Sequence, residues 1–300
     1  MKYFITFIIL TTYLSSSALA DSDMGLKIIL AAMPDTGTAV IRKQSVSMGV
    51  NYGTDESFFG RTSPYAYPFV SGDVIYNSKN GLFVYGSLWK VLGSTPTIDE
   101  ADLGGGFSYK FSKQFRGELS YTHFFFNALS PIIKSSATND INFKNSYDWK
   151  LFKTSATFDY LIGESSDFFI TLNTSRYFES NWSVFDDKDY VTFTPSFSLI
   201  LGTQNFVQNY SKDHDFFKDK NPNNHTPPPA DPNPYNYKLD AGRNSQFNPL
   251  NYSLKIPIAY NRPHYTFEAS YKYGIPVNVQ GALLNSPESF FNLTFYYVFY

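Results

Sequence analysis

The 300-residue sequence contains no cysteine. That excludes a disulfide framework and any metal site built from thiolates. After residue 20 no stretch is long and apolar enough for a helical membrane span, which needs about 20 consecutive apolar residues. An excess of positive charge is missing too: 24 Lys and Arg stand against 26 Asp and Glu. There is thus no basic footprint for nucleic acid, and none is expected as a partner. The four histidines, His123, His214, His225 and His264, have no H-E-x-x-H spacing. Asp213-His214-Asp215 lies in a polar stretch, and Asp186, Asp187 and Asp189 lack the Gly and distal Glu of a calcium loop. G-x-S-x-G is absent as well. No metal, cofactor or catalytic centre is expected.

Aromatic residues are abundant instead. Tyr 24, Phe 30 and Trp 3 make 19% of the chain, while hydrophobic content is 43% and mean hydropathy is −0.26. A soluble domain tends to be apolar through Leu, Ile and Val. A membrane barrel alternates outward apolar with inward polar residues and gathers aromatics at both interfaces, so its mean hydropathy stays low.

The first twenty residues have the three parts of an export signal. Lys2 gives a positive start, Tyr3 to Leu14 are mostly apolar, and Ala18-Leu19-Ala20 puts small residues at the cleavage positions. The apolar part is too short to span a bilayer as a helix. Residues 1–20 are therefore expected to be cleaved, and no Cys follows to carry a lipid anchor. Cleavage leaves a formal charge of −3. Residues 21–43 read as a lead-in, and residues 44–300 as the folded unit.

From there, alternation with a period of two recurs almost to the end. Val46, Met48, Val50 and Tyr52 alternate with Ser45, Ser47, Gly49 and Asn51. A run at about 67–77 reaches Asn80-Gly81, a favoured pair for a type I′ hairpin turn, and a third run goes from Leu82 to about Leu92. Leu103, Gly105, Phe107, Tyr109 and Phe111 then alternate with Asp102, Gly104, Gly106, Ser108 and Lys110. A three-residue loop, Ser112 to Gln114, would face Phe111 with Phe115 and Lys110 with Arg116, leaving Lys110 diagonal to Glu118. Within a strand, Gly104-Gly105-Gly106 serves a bend or makes room for a bulky cross-strand neighbour. Further runs cover about 152–160, 168–175 and 191–201, with Pro195 expected at a bulge or strand end.

Residues 212–248 break the rhythm with mixed charges, then Pro222, Pro227-Pro228-Pro229, Pro232 and Pro234. Proline at that density reads as a long surface loop. Strand patterns resume at about 249–260, 265–276 and 288–300. Direct counting gives eleven strands. A barrel with both ends in the periplasm needs an even number, so a weak strand from Asn205 to about Lys212 is taken as the twelfth, within a range of ten to fourteen. That places the long loop outside and the tight turns in the periplasm. The fold expected is all-β: a closed antiparallel transmembrane β-barrel.

The last strand puts Phe291, Leu293, Phe295, Tyr297 and Phe299 on one face and ends on Tyr300. With the export signal and the strand repeat, this resembles the bacterial outer-membrane β-barrel proteins, whose C-terminal strand ends on an aromatic read by the barrel insertion machinery. Phe299 keeps the register of the apolar face, and Tyr300 is displaced by one. The resemblance implies an outer-membrane location, contact with outer-membrane lipid, and Phe295, Tyr297, Phe299 and Tyr300 as the insertion signal.

The candidate polar faces are mostly Ser, Thr, Asn and Gly, with charges of both signs at Asp73, Asp102, Lys110, Arg116, Glu118, Lys153 and Asp159. These seven are the candidate lumen-lining residues. They suit a porin-like channel for transport of small polar or amphipathic solutes. The alternative is a closed structural barrel that binds a partner through its outer loops. A lipid-modifying enzyme is the weakest reading; it would need His123 beside a nucleophile, for which Ser146 is the candidate, and the protein is expected not to be an enzyme.

Overall fold

A computed structural model describes residues 44–127, 129–133, 137–207, 245–281 and 283–300. The export signal, the lead-in and residues 212–244 of the proline-rich stretch lie outside them. The alternating runs form strands: β1 (Ser45–Gly53), β2 (Phe69–Asn77), β3 (Leu82–Val91), β4 (Glu100–Lys110), β5 (Phe115–Phe126), β6 (Ala137–Asp148) and β7 (Lys153–Gly163). They continue as β8 (Ser166–Ser175), β9 (Phe178–Glu179), β10 (Tyr190–Phe193), β11 (Ser196–Gly202), β12 (Asn248–Asn261), β13 (Tyr265–Pro276) and β14 (Glu288–Phe299).

These fourteen segments form one antiparallel sheet in which β9 prolongs β8 and β10 precedes β11, so the barrel has twelve staves. The ring closes where β1 pairs with β14, from Val46↔Phe299 to Gly53↔Asn292. On the other side β11 pairs with both β8 and β12. No sheet edge is left open, which is the condition for a sheet to cross lipid.

Alternation sorts the faces. Met48, Val50 and Tyr52 are exposed on β1, while Ser45, Ser47 and Asn51 between them are buried. On β14, Phe291, Leu293, Phe295, Tyr297 and Phe299 are exposed outside, with Asn292, Thr294 and Tyr296 buried inside. An apolar belt around a closed barrel makes this a membrane-spanning protein of the bacterial outer membrane. The end that holds the start of β1 and the end of β14 has the short turns at 78–81, 111–114, 149–152 and 262–264 and the longer β8–β11 excursion at 176–195. The opposite end has the connections 54–68, 92–99, 127–136, 164–165, 203–247 and 277–287. Most short turns share the first end, which is taken as the periplasmic one by the usual rule for such barrels.

Three expectations are corrected. The twelfth stave is β6, between the counted strands β5 and β7, while Asn205 to Val207 form a turn and no strand; residues 208–212 lie outside the described ones. Strand-depleted Asn139, Asp140, Asn142 and Asn145 hide the pattern of β6. The hairpin at Asn80-Gly81 is present, but only Gly81 has positive φ, at 93°. Its N–H reaches Ser78 O at 3.2 Å, giving a three-residue connection with a left-handed glycine instead of the type I′ turn. The single run at 191–201 is two strands, broken where Pro195 was expected to bulge or end a strand: it cannot donate to the ladder and separates β10 from β11.

The β4–β5 hairpin has the expected register, with Lys110 opposite Arg116 and Ser108 opposite Glu118. Gly104 and Gly106 do make room for neighbours: a Cβ there would lie 2.5 Å from the Tyr85 ring and 2.7 Å from the Phe83 ring. A similar fit sits on the closing seam. Gly49 pairs with Tyr296, whose ring would lie 2.2 Å from an added Cβ. Gly49→Val should therefore destabilise the barrel by about 1–3 kcal/mol, read as a lower urea midpoint for loss of heat-modifiable migration. The double variant Gly49→Val/Tyr296→Ala should regain part of that; no rescue would show that the crowding lies elsewhere.

Candidate functional site

The inner face divides into open and covered parts, the open one on β4–β7 and the covered one including Ser45, Ser47, Ile75 and Phe83 at the same end of β1–β3. Near the periplasmic turns, Lys110 pairs across the ladder with Arg116, Glu118 with Lys144, and Asp148 with Lys153. Lys110 is exposed, and Arg116, Glu118, Lys144 and Lys153 are half-buried, so solvent reaches this mixed-charge band. Deeper in, side chains close over one another. Ser87 donates to Asp102 at 2.8 Å, Asn142 to Asp159, the Tyr85 hydroxyl meets Thr122, and Thr294 donates to Asn51 at 2.9 Å. Lys255 pairs with Glu268 at 3.3 Å, and Lys272 lies 4.8 Å from the centre of the Phe290 ring.

All seven charges predicted from the alternation sit at inward register positions, but they do not share one environment. Asp73 and Asp102 are 7% exposed and Asp159 is 3% exposed, whereas Lys110, Arg116, Glu118 and Lys153 remain open to water. Lys110, Arg116 and Glu118 are adjacent, Lys153 joins them through β6, and Asp73 lies apart on β2. Alternation gives a side chain's face and says nothing of what covers it.

The outer mouth holds residues that the sequence reading missed. In the connection from β1 to β2, Phe58 N–H donates to Arg61 O at 2.8 Å and Arg61 N–H to Phe58 O at 2.9 Å. Between them Phe59 (φ 47°) and Gly60 (φ 72°) are both left-handed, as in a type I′ turn. This tip crosses to the far wall. The Phe59 ring stacks on Phe169 of β8, with centroids 3.7 Å apart and planes 9° apart, and Phe58 meets Phe206 edge-on at 5.2 Å. A Cβ on Gly60 would lie 2.2 Å from that of Asn251, so only glycine fits. Around the tip, Phe124, Leu161, Ile200, Leu250 and Leu283 complete one buried apolar cluster.

Arg61 secures the turn. With 0% exposure, it donates to Gln204 Oε1 at 2.8 Å, to the carbonyls of Leu250 and Val277 at 2.7 Å each, and to that of Asn278 at 3.3 Å. Burial pushes its pKa down to about 9, which leaves it charged at neutral pH. Asp167 fixes the same region, accepting from the N–H groups of Asn205 and Phe206 at 2.7 and 2.8 Å. The available signal for this site was a pair of phenylalanines, Phe58-Phe59, set between the polar stretches Thr54 to Ser57 and Arg61 to Ser63.

No protein-family model matches the chain, and no curated protein matches it in sequence. Among solved structures it is similar in fold to the "KdgM porin", with 8% identity over 85% of this chain and 99% of that one and a TM-score of 0.47. A NanC porin structure gives 10% identity over 85% and 99%, with a TM-score of 0.42. LpxR from Salmonella typhimurium gives 8% over 84% and 99%, also at 0.42. At these scores, family and activity must be argued from the barrel itself.

That barrel separates the Ser–His pair. His123 faces outward near the outer rim, where Asn139 Oδ1 accepts from the Tyr121 hydroxyl at 2.6 Å and lies 2.8 Å from His123 Nδ1. Ser146 is buried on the inner face near the opposite end, paired with Arg116. The two cannot act together, and His123 belongs to the aromatic rim beside Phe125. Among the described residues no group of three or more His, Asp or Glu could hold a metal ion.

Since the chain has no native cysteine, the division between open and covered positions can be read by thiol labelling. Lys110→Cys and Lys153→Cys in the folded barrel should react quickly with a water-soluble maleimide, and Asp73→Cys and Asp159→Cys slowly. Equal rates at all four would mean that the interior is open throughout.

Proposed function

We propose that the protein is a small passive channel of the outer membrane for small polar or amphipathic solutes, with its path along the charged inner face. The observation that carries this reading is the contrast between a lipid-facing belt of Val, Leu, Phe and Tyr and an inner face of Ser, Thr, Asn and charges of both signs. Interior charge that merely filled space would cost free energy to dehydrate. A water-reached band at Lys110, Arg116, Glu118 and Lys153 instead supplies a polar vestibule on the periplasmic side. Asp73, Asp102 and Asp159 are assigned to the narrower path beyond it, which side-chain movement would widen.

Assembly is read from β14, whose outward Phe295, Tyr297 and Phe299, followed by Tyr300, are assigned as the surface that the barrel insertion machinery handles. A second reading has one observation in its favour, the packed outer mouth: a closed barrel that binds a partner through its outer loops. Deleting residues 212–244 should then abolish adhesion to the partner while heat-modifiable migration is kept. Adhesion that survives the deletion would remove this reading.

For the channel, folded protein in planar bilayers should give discrete current steps. Arg116→Glu with Lys153→Glu should move the reversal potential in a salt gradient toward cation preference, because it replaces two positive charges in the vestibule by negative ones. Background current at every voltage, both in the wild type and in variants with the outer mouth loosened, would reject the channel.

A further inference from the structure

We infer that Phe58–Arg61 is the gate of this channel: a turn seated in the outer mouth and latched by Arg61, whose withdrawal opens the interior to the outside. The inference rests on the channel reading and adds its regulation. Its first ground is reach. The turn springs from β1 and β2, yet its side chains contact β8, the start of the 203–247 connection, β12 and the 277–287 connection. In the ring order β8 lies six places from β2, so the turn bridges the opening.

The second ground is how the turn is held. Its two backbone hydrogen bonds are internal, between Phe58 and Arg61, and it adds no rung to the barrel wall. It can therefore leave as a unit without breaking the ladder that keeps the barrel closed. What fixes it is ring packing on Phe169 and Phe206, the hydrogen bonds of the Arg61 side chain, and one hydrogen bond from Asn251 Nδ2 of β12 to Gly60 O at 3.3 Å.

The third ground is that the seat opposes itself. Phe59 holds a left-handed backbone that a bulky residue rarely adopts and that persists only where surroundings over-determine it. Arg61 is a buried cation whose partners are all neutral oxygens, so its charge meets dipoles instead of a carboxylate. Withdrawal relaxes the first and rehydrates the second, while it costs apolar contact and hydrogen bonds. Opposed terms of this kind make a bistable element.

Two variants test the gate in planar bilayers, each first checked for heat-modifiable migration. Arg61→Met keeps a long side chain without its donors, and replacement of residues 58–61 by Gly-Ser-Gly-Ser removes the whole seat. Both should raise the fraction of time spent open by about tenfold or more, the ratio expected when hydrogen bonds to a charged group are lost, with the single-channel step unchanged. Equal open fractions in wild type and variants would overturn the gate and leave the channel standing. Silence in all three would overturn the channel, and labelling then decides the gate alone. Phe59→Cys/Arg61→Met should react with an impermeant maleimide added outside about tenfold faster than Phe59→Cys, on the same grounds. Equal labelling rates would overturn the gate whatever the currents show.

Discussion

In hydrocarbon an unpaired backbone N–H or C=O costs several kcal/mol, and nothing but another strand can satisfy a whole edge. The β1–β14 ladder is thus the contact on which the rest of this molecule depends. Its register, Val46 opposite Phe299, also fixes which face of every stave meets lipid. Side chains alternate with a period of two, so a slip of one residue would turn Met48, Val50 and Tyr52 inward and expose Ser47 and Asn51 to lipid. The Gly49–Tyr296 fit helps specify the seam: the tyrosine needs the space that only glycine leaves.

Closure has a consequence for the interior. A twelve-stave barrel is wide enough that inward side chains do not automatically fill it. This one fills its interior in two ways. Large inward aromatics lie over inward glycines, as Tyr85 and Phe83 do over Gly104 and Gly106. The β1–β2 connection then brings Phe58 and Phe59 into the mouth, where they join residues from β5, β7, β8, β11 and β12 in one apolar cluster. At the other end the band of Lys110, Arg116, Glu118, Lys144 and Lys153 on β4–β7 stays open to solvent, while Ser45, Ser47, Ile75 and Phe83 on β1–β3 are buried. In the channel reading proposed above, the Phe58–Arg61 turn is the lid over this interior.

Much of this was legible in the sequence, for a physical reason. Lipid outside and polar groups inside impose the strictest form of alternation, so the β4–β5 hairpin could be placed to the residue, with Lys110 against Arg116. β6 escaped notice because its outward stripe is reduced to Ile141, Phe143 and Tyr147, with Asn145 interrupting it. Parity still demanded a twelfth strand, but it was sought in the wrong place, at Asn205, where the chain turns to pack Phe206 and Val207 into the cluster. The candidate site was legible only by face. Asp73 and Lys110 occupy equivalent positions in the pattern, yet one is sealed and the other open, and that difference comes from Tyr296 and other distant residues. Arg61 could not be found at all, since its partners lie more than 140 residues away in sequence.

Arg61 also bears on whether the closed mouth is a finished plug or a movable part. Evolution of a permanent plug would favour an apolar side chain at a fully buried position, because a well-packed hydrophobic residue there is as stable as a buried charge or more so. A permanent plug also has no use for a phenylalanine in the left-handed region, where Gly or Asn would remove the strain. The seat retains both costs. A buried cation held by carbonyls is selective about position, since its donors must all be met or none, and it is readily rehydrated once displaced. Those are the properties of a part that must fit firmly in one place and also be able to leave it.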